Sequence, residues 1–421
     1  MVLQGRAART VPVAFRLWAL ASRFLLVFFL AGFLPPAEVG LYGLVAAMVA
    51  YVVYLLGADM YTYTTREVIK SAPSSWRIKV TSHAAFLGCV SFIVLPALVL
   101  LFVTGLLPWE VAVWFYLIAI TEHLGMELDR ILVAMSDQLA ASLVILVRQA
   151  ALPTALIPLM IFLPATRHVE WLFIGWFCFN ALAITLGVLL MLRRAPAPPR
   201  LVIEWRWVRH GVLVSIPFLI GTLCLRLIFT VDRQLVAVLA DLDTLAVYTL
   251  AMSIAGGVSS VLAVGVHQFV YPQLVKSANE RDQLTFRRDL RSLWVQTAII
   301  AGTAFLGVLL LHNWIAGWFG HEIYVEYAWL LPIAVGVIAI YNLSLVPHYA
   351  LYALHADRVI LVTTVSALLG FAATISIALA LGISAVLAVT IGVGAGSVIL
   401  FGAKYLAYRR RLRELIDIAS D

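Results

Sequence analysis

Residues 84–107 read AAFLGCVSFIVLPALVLLFVTGLL, a run of 24 residues without a charged side chain. A helix of this length is long enough to cross the hydrocarbon core of a bilayer, which takes about 20 apolar residues. A spanning segment must also satisfy its own backbone hydrogen bonds, and the run lacks the alternation of a membrane barrel strand. The stretch therefore predicts a transmembrane helix.

Further apolar runs of similar length lie on both sides of this one, separated by short polar gaps. Together they give twelve predicted spans, at 13–33, 39–60, 84–107, 111–132, 140–163, 171–192, 211–233, 244–270, 293–315, 328–350, 359–381 and 385–407. Hydrophobic residues make up 63% of the chain and charged residues 12%, whereas a soluble domain has about 25% charged residues. We predict an all-α polytopic membrane protein with about 12 transmembrane helices.

The positive charges fall on alternate gaps. Of the 29 Lys and Arg residues, 23 lie in one set of gaps and in the two ends, from Arg6 to Lys404 and Arg413, and Arg167 alone lies in the other set. The cation-poor gaps contain acids instead: Glu38, Glu110, Glu170, Asp241, Asp243, Glu322 and Glu326. Because cationic loops stay in the cytoplasm, we expect both termini to be cytoplasmic and the protein to lie in the cell inner membrane.

The net charge of +7 is explained by this topology and by attraction to anionic lipids, so nucleic acid is not an expected partner. The segment RRAPAPPRLVIEWRWVR, residues 193–209, combines clustered prolines with charges and divides the spans six and six. Residues 34–48 also align with residues 240–254, which indicates an internal repeat. These features predict two six-helix lobes, with transport substrates bound between such repeats. The predicted boundaries are 1–195 for the N-lobe, 196–210 for the cytoplasmic linker and 211–421 for the C-lobe with its basic tail.

Polar residues at bilayer depth are costly and mark candidate sites. The predicted substrate-binding residues are Arg23, Arg148, Arg226, Tyr341 and Asn342, and the predicted coupling or gating residues are Glu122, His123, Asp232 and Arg233. Glu122 and Arg148 fall within about 5 Å of the same membrane level by helix rise, so they can pair. The pair either locks the N-lobe or takes part in transport. Arg148 is accordingly either held by Glu122 or joins Arg23 and Arg226 in binding an anion.

The remaining polar residues leave similar alternatives. Asp232 and Arg233 end the seventh predicted span, where they form a solvated helix end or close an outer gate. Glu122 and His123 are candidates to carry protons. Asp129, lower in the same span, is expected at the cytoplasmic edge, as is Glu127. No metal-ligand spacing is present, so no metal or other cofactor is expected, and proton or sodium coupling stays open.

The segment Leu34–Tyr42, LPPAEVGLY, followed by Gly57-Ala58-Asp59 and Thr65-Arg66-Glu67, resembles the amino end of Wzx-type oligosaccharide flippases of the multidrug/oligosaccharidyl-lipid/polysaccharide (MOP) superfamily. The second half is similar to the same family at Pro217, Val231-Asp232-Arg233, Ala246-Val247-Tyr248 and Tyr271-Pro272. The resemblance implies a MATE-like fold and a transporter that flips an undecaprenyl-diphosphate-linked oligosaccharide from the cytoplasmic to the periplasmic leaflet by alternating access. It also implies a cationic cavity, in agreement with Arg23, Arg148 and Arg226. The implied partners are the lipid-linked oligosaccharide, a polysaccharide polymerase and glycosyltransferases, with anionic lipids around them.

Two other classes of protein remain as alternatives. A small-molecule exporter of the same superfamily would be favoured by acids lining the cavity. A membrane glycosyltransferase or polymerase is disfavoured because the predicted outer loops are short, the longest covering residues 317–327. We therefore expect a transporter and not an enzyme.

Overall fold

The protein is described by a computed structural model, which covers residues 2–194, 202–280 and 282–420 and gives side chains between residues 11 and 411. Part of the predicted linker 196–210, including Arg200, lies outside these residues. Twelve helical stretches of the described chain are long and apolar enough to cross a membrane. This finding confirms the predicted all-α polytopic class. The side of the membrane on which the termini lie stays a prediction.

The chain divides into two compact units, one made of residues 1–38 and 42–223 and the other of residues 39–41 and 224–421. The helices up to residue 194 are α1 (Val2–Phe33), α2 (Pro36–Gly57), α3 (Tyr61–Lys70), α4 (Pro73–Ala97), α5 (Val99–Val103), α6 (Ala112–Ala134), α7 (Gln138–Ile145), α8 (Ala151–Phe162) and α9 (Val169–Arg194). The later helices are α10 (Trp205–Leu239), α11 (Leu242–Leu262), α12 (Gln268–Asn279), α13 (Gln283–Gly317), α14 (Glu322–Glu326), α15 (Leu330–Ala353), α16 (Asp357–Ala380) and α17 (Ala385–Ser420). The division falls inside α10, and the predicted lobe boundaries stay a prediction.

In the first unit, α6 lies at the centre of the packing. It contacts α3, α7 and α9, while α1 packs against α7 and α8. One small apolar core, made of Leu132, Ala140, Ala141, Val144 and Ala183, joins α6, α7 and α9. This arrangement places three helices around the middle of α6, where the candidate residues lie.

In the second unit, α15 takes the central place, in contact with α11, α13 and α17, and α16 packs along α17. Its larger apolar core draws on α11 to α13, α15 and α17 and includes Leu262, Leu274, Leu293, Val346 and Leu351. Hydrophobic burial between helices is weak as a driving force in a bilayer, so close packing of such faces supplies much of the association.

Two charged parts of the second unit belong to its long helices. The polar stretch around residues 276–291 forms the end of α12 and the start of α13. Asp282 caps α13 by accepting hydrogen bonds from the Thr285 amide at 3.0 Å and the Thr285 hydroxyl at 2.6 Å. These bonds hold the pKa of the Asp282 carboxyl below its usual value. Lys404, counted among the cations of the cytoplasmic tail, lies on α17 and is 2% exposed.

Candidate functional site

The local fold around Arg148 departs from a regular α-helix. Residues Leu146–Ala150 form a π-helical segment between α7 and α8. Pro153 follows closely and has no N–H, so the carbonyl of Gln149 lacks its usual partner four residues on. Short π-helical segments often occur at functional sites, because they displace a side chain from the regular helical register. Here the segment carries Arg148 to the face of α6.

Arg148 is held between two carboxylates of α6. Its Nη1 donates to Oε1 of Glu122, and its Nη2 donates to Oδ2 of Asp129 at 2.7 Å. Glu122, Gly125 and Asp129 stand on one face of the helix, since they are three and four residues apart. A Cβ at Gly125 would come within 2.6 Å of Cδ of Arg148, so glycine gives the arginine room to lie flat along α6.

The second oxygen of Glu122 is also fully engaged. Its Oε2 accepts hydrogen bonds from Nδ2 of Asn180 at 2.9 Å and from Nε1 of Trp176 at 3.1 Å, both on α9. Hydrogen bonds of this kind, together with an adjacent guanidinium, stabilise the ionised carboxylate. The structure thus forms the pair predicted from helix rise, and it joins α6, the π-helical segment and α9.

Arg23 of α1 is exposed and lines a cavity together with Glu122, Arg148, Gln149 and Trp176. The cavity has a volume of about 30 Å³, which suffices for roughly one or two water molecules and not for a sugar diphosphate. Of the two sequence-based alternatives for Arg148, the structure realises the one in which Glu122 holds it. Arg23 interacts electrostatically with Glu122 but supplies none of the hydrogen bonds that hold this carboxylate in the described part of the chain.

Asp129, expected at the cytoplasmic edge, is a buried member of the Arg148 group, and its depth in the membrane stays a prediction. The residue is 7% exposed and supplies the second carboxylate of the Arg148 group. Asp129 lies seven residues after Glu122, so both are on one face of the helix. This spacing was the feature of the sequence that could have indicated a shared partner. Glu127, also expected at the edge, is 3% exposed.

His123 belongs to a second polar cluster on another face of α6. In this cluster Glu127 contacts Nε2 of His83 at 2.9 Å and accepts a hydrogen bond from Arg130 at 2.8 Å. The Nδ1 of His83 lies 2.9 Å from the hydroxyl of Thr64 on α3. His123 is buried and interacts electrostatically with Glu127. The structure therefore places the two coupling candidates Glu122 and His123 in separate clusters.

Asp232 and Arg233 occupy the interior of a helix and not its end. The helix α10 continues to Leu239, and Asp232 is 0% exposed, so the solvated-end alternative is wrong. The carboxylate accepts a hydrogen bond from the hydroxyl of Tyr248 at 2.9 Å, and Nη1 of Arg233 lies 3.4 Å from it. The pair fixes α10 to α11 within the second unit, and a gating role stays a prediction.

The other predicted substrate residues also lie in the second unit. Arg226 is exposed on α10, and the ring of Tyr341 on α15 packs edge-to-face against Phe229 at 5.2 Å. Asn342 is buried, and its Nδ2 donates to Oγ of Ser259 and to the carbonyl of Ile338, both at 2.9 Å. Its amide donor thus joins α15 to α11, and substrate contact by these residues remains a prediction.

Comparison with known proteins adds a family and a fold. A family model described as "Polysaccharide biosynthesis protein" matches residues 20–278, more than half of the chain. No curated protein matches the chain.

Several solved structures are similar over nearly the whole chain. The inward-facing conformation of a multidrug resistance MATE family transporter of the MOP superfamily has a TM-score of 0.74 at 13% identity, over 94% of this chain and 95% of that one. A MATE crystal structure in the bent conformation has a TM-score of 0.61 at 14% identity, over 98% and 94%. A MOP superfamily transporter from Pyrococcus furiosus Vc1, titled for the reverse polarity of its binding pocket, has a TM-score of 0.62 at 13% identity, over 97% and 95%. At these identities the likeness shows the fold.

Proposed function

We propose a transport function for this chain, which belongs to the polysaccharide biosynthesis protein family and has the fold of the MOP superfamily. The substrate we infer is an undecaprenyl-diphosphate-linked oligosaccharide, moved from the cytoplasmic to the periplasmic leaflet of the cell inner membrane by alternating access. Such movement makes and breaks no covalent bond, so the protein acts without catalysis. A lipid-linked sugar unit is the material from which cell-surface polysaccharide is assembled, in keeping with the family.

Arg23 is the observation that carries this proposal. Its guanidinium is exposed, lines the cavity beside Glu122 and belongs to a span of the first unit. Arginine remains charged at any physiological pH and offers a planar set of donors that matches phosphate oxygens. An exposed arginine within a membrane span suits the diphosphate of a lipid carrier, since a cation there needs an anion or water. We assign Arg226 of the second unit to the same substrate group.

The test is a flipping assay with purified protein in liposomes. A fluorescent oligosaccharide on a polyprenyl diphosphate is placed in one leaflet, and its arrival in the other leaflet is measured with an impermeant quencher. We expect Arg23→Ala and Arg226→Ala to lose most of the flipping rate and Arg23→Lys to keep part of it, because lysine retains the charge without the planar donors. Arg193→Ala, which removes an exposed arginine from the last turn of α9, is the matched control and is expected to flip normally. Wild-type flipping by the double variant of Arg23 and Arg226 would refute the diphosphate assignment.

A small-molecule exporter is the second candidate, and one observation favours it. Glu122 and Asp129 bring two carboxylates to Arg148, so acids and arginines balance in this part of the first unit. Acids near the cavity suit a cationic solute better than a diphosphate. Efflux of cationic dyes from the same liposomes, with no flipping of the labelled lipid, would establish this candidate in place of the first.

A further inference from the structure

One oxygen of Asp129 is buried and has no hydrogen-bond partner in the described part of the chain. Oδ2 accepts from Arg148 at 2.7 Å, whereas Oδ1 is enclosed without a donor. An ionised carboxylate oxygen buried in this way is unfavourable, because the hydrogen bonds it made to water are not replaced. Binding a proton removes the charge and so relieves this cost.

Asp129 and Glu122 share a single guanidinium, and their surroundings differ. Glu122 keeps donors from Asn180 and Trp176 in addition to Arg148. Among the described residues, Asp129 accepts a hydrogen bond from Arg148 alone. When two carboxylates lie on one cation, the proton goes to the one with fewer donors, since its charged form is less stabilised. Asp129 is thus the member of this pair that takes a proton.

The residues around Arg148 line two different cavities. With Arg23 and Glu122, Arg148 lines the cavity of about 30 Å³. Asp129 lines a separate, open cavity of about 450 Å³ whose wall includes Arg16, Tyr61 and Arg130. Because the larger cavity is open, solvent that enters it would approach Asp129 without passing through the smaller one.

The groups around Asp129 also select the ion. The charged and titratable groups that interact with it or line its cavity, from α1, α3, α6 and the π-helical segment, are Arg16, Tyr61, Glu122, Arg130 and Arg148. Three of these five are arginines, which repel a sodium ion, and a hard cation needs several oxygen ligands. A proton needs only the one free carboxylate oxygen.

We propose that Asp129 is a proton-binding residue whose protonation loosens Arg148 from Asp129 and changes the summed charge of Arg23, Glu122, Asp129 and Arg148 from zero to one positive charge. The gain of positive charge strengthens binding of an anion at Arg23. In the protein's transport cycle this couples the proton to the diphosphate, a consequence that rests on the proposed function. Proton binding itself does not depend on that function.

Infrared spectroscopy on the full-length protein in lipid nanodiscs tests proton binding without any substrate. Wild-type protein is expected to show the carbonyl band of a protonated carboxylic acid in acidic buffer and to lose it in alkaline buffer. Asp129→Asn should lack the part of this band that comes from Asp129, measured as a loss of intensity against the wild type. Asp137→Asn, which removes an α7-capping carboxylate paired with the exposed Arg194, should keep it. If Asp129→Asn does not fold, Asp129→Glu should shift the band. A band that neither change alters would overturn the proposal.

Binding of inorganic diphosphate, measured by calorimetry, tests the link to Arg148. We expect acidic buffer to strengthen binding by about tenfold more in the wild type than in Asp129→Asn, from the charge gained near Arg23. Equal pH dependence in the two proteins would refute the link. Replacing sodium by choline should change nothing, and a sodium effect that Asp129→Asn abolishes would assign the site to sodium and overturn the proton. If the wild-type protein shows the Asp129 band but does not flip the labelled lipid, the proposed transport substrate is wrong and proton binding by Asp129 still holds.

Discussion

Replacing Arg148 by methionine should destabilise the first unit strongly. The side chain of Arg148 is 4% exposed, and it joins the side chains of Glu122 and Asp129, which are 13% and 10% exposed. Methionine fills similar volume but leaves two buried carboxylates without their cation. Removing one partner of a buried ion pair costs about 3–5 kcal/mol, most of which is the penalty of the charge left behind.

The magnitude can be followed as a change in melting temperature. For a unit of roughly 200 residues, about 2–4 °C is lost per kcal/mol, so Arg148→Met should melt roughly 6–20 °C below the wild type. The assay is thermal unfolding of the detergent-solubilised protein, read as the fraction that stays monodisperse after heating. Arg194→Met is the matched control, because Arg194 pairs with Asp137 at 2.6 Å but is 61% exposed. An exposed pair contributes at most about 1 kcal/mol, so this control should melt within a few degrees of the wild type.

A rescue variant separates the buried charges from simple loss of packing. Combining Arg148→Met with Glu122→Gln and Asp129→Asn removes the uncompensated charges while keeping the methionine. We expect this triple variant to regain at least half of the lost melting temperature, since neutral amides are much less costly to bury than carboxylates. Equal melting of Arg148→Met and Arg194→Met would refute the claim that the two carboxylates depend on Arg148.

Three further predictions concern packing and topology. Gly125→Ala should lower the melting temperature, because its Cβ would lie 2.6 Å from Cδ of Arg148. Gly88→Ala, whose Cβ would have nothing within 4 Å, should raise the melting temperature slightly through better helix propensity. The same heating assay compares the two variants. Tyr248→Phe should cost about 1.5–3 kcal/mol, because it removes a hydrogen bond to a fully buried carboxylate; chemical unfolding of the variant measures it, and a neutral result would contradict the buried bond. Single cysteines can be placed at Asn279 and Glu322 in a variant from which the native cysteines have been removed. In intact cells an impermeant thiol reagent should label the cysteine at position 322 and leave the one at position 279 unlabelled. The reverse pattern would invert the predicted topology.

The twelve spans and one of the site's ion pairs could be predicted from the sequence. Hydropathy over about 20 residues identifies a helix that can cross a bilayer, because both the length and the apolar surface are local properties of the chain. Helix rise then gives the depth of each polar residue, which is why Glu122 and Arg148 were expected to meet. Family resemblance at residues 34–42 gave the fold that the solved structures share.

The partners of individual polar groups could not be predicted in this way. Asp129 was expected at the cytoplasmic edge and Asp232 at the end of a span, yet they are 7% and 0% exposed. Lys404 was counted with the basic tail, yet it is 2% exposed on α17. In each case the sequence gives the position of the residue along its helix but not the side of the helix that packs against a neighbour.

The sequence by itself determined how many helices cross the membrane, because that number depends on the length and composition of each segment. Tertiary structure alone decided which face of each helix meets another helix. In a bilayer both the lipid-facing and the protein-facing sides are apolar, so hydropathy carries little information about orientation. The π-helical turn at Leu146–Ala150 and the space above Gly125 brought Arg148 onto Glu122 and Asp129 of α6, and that contact exists only once α6, α7 and α9 have packed.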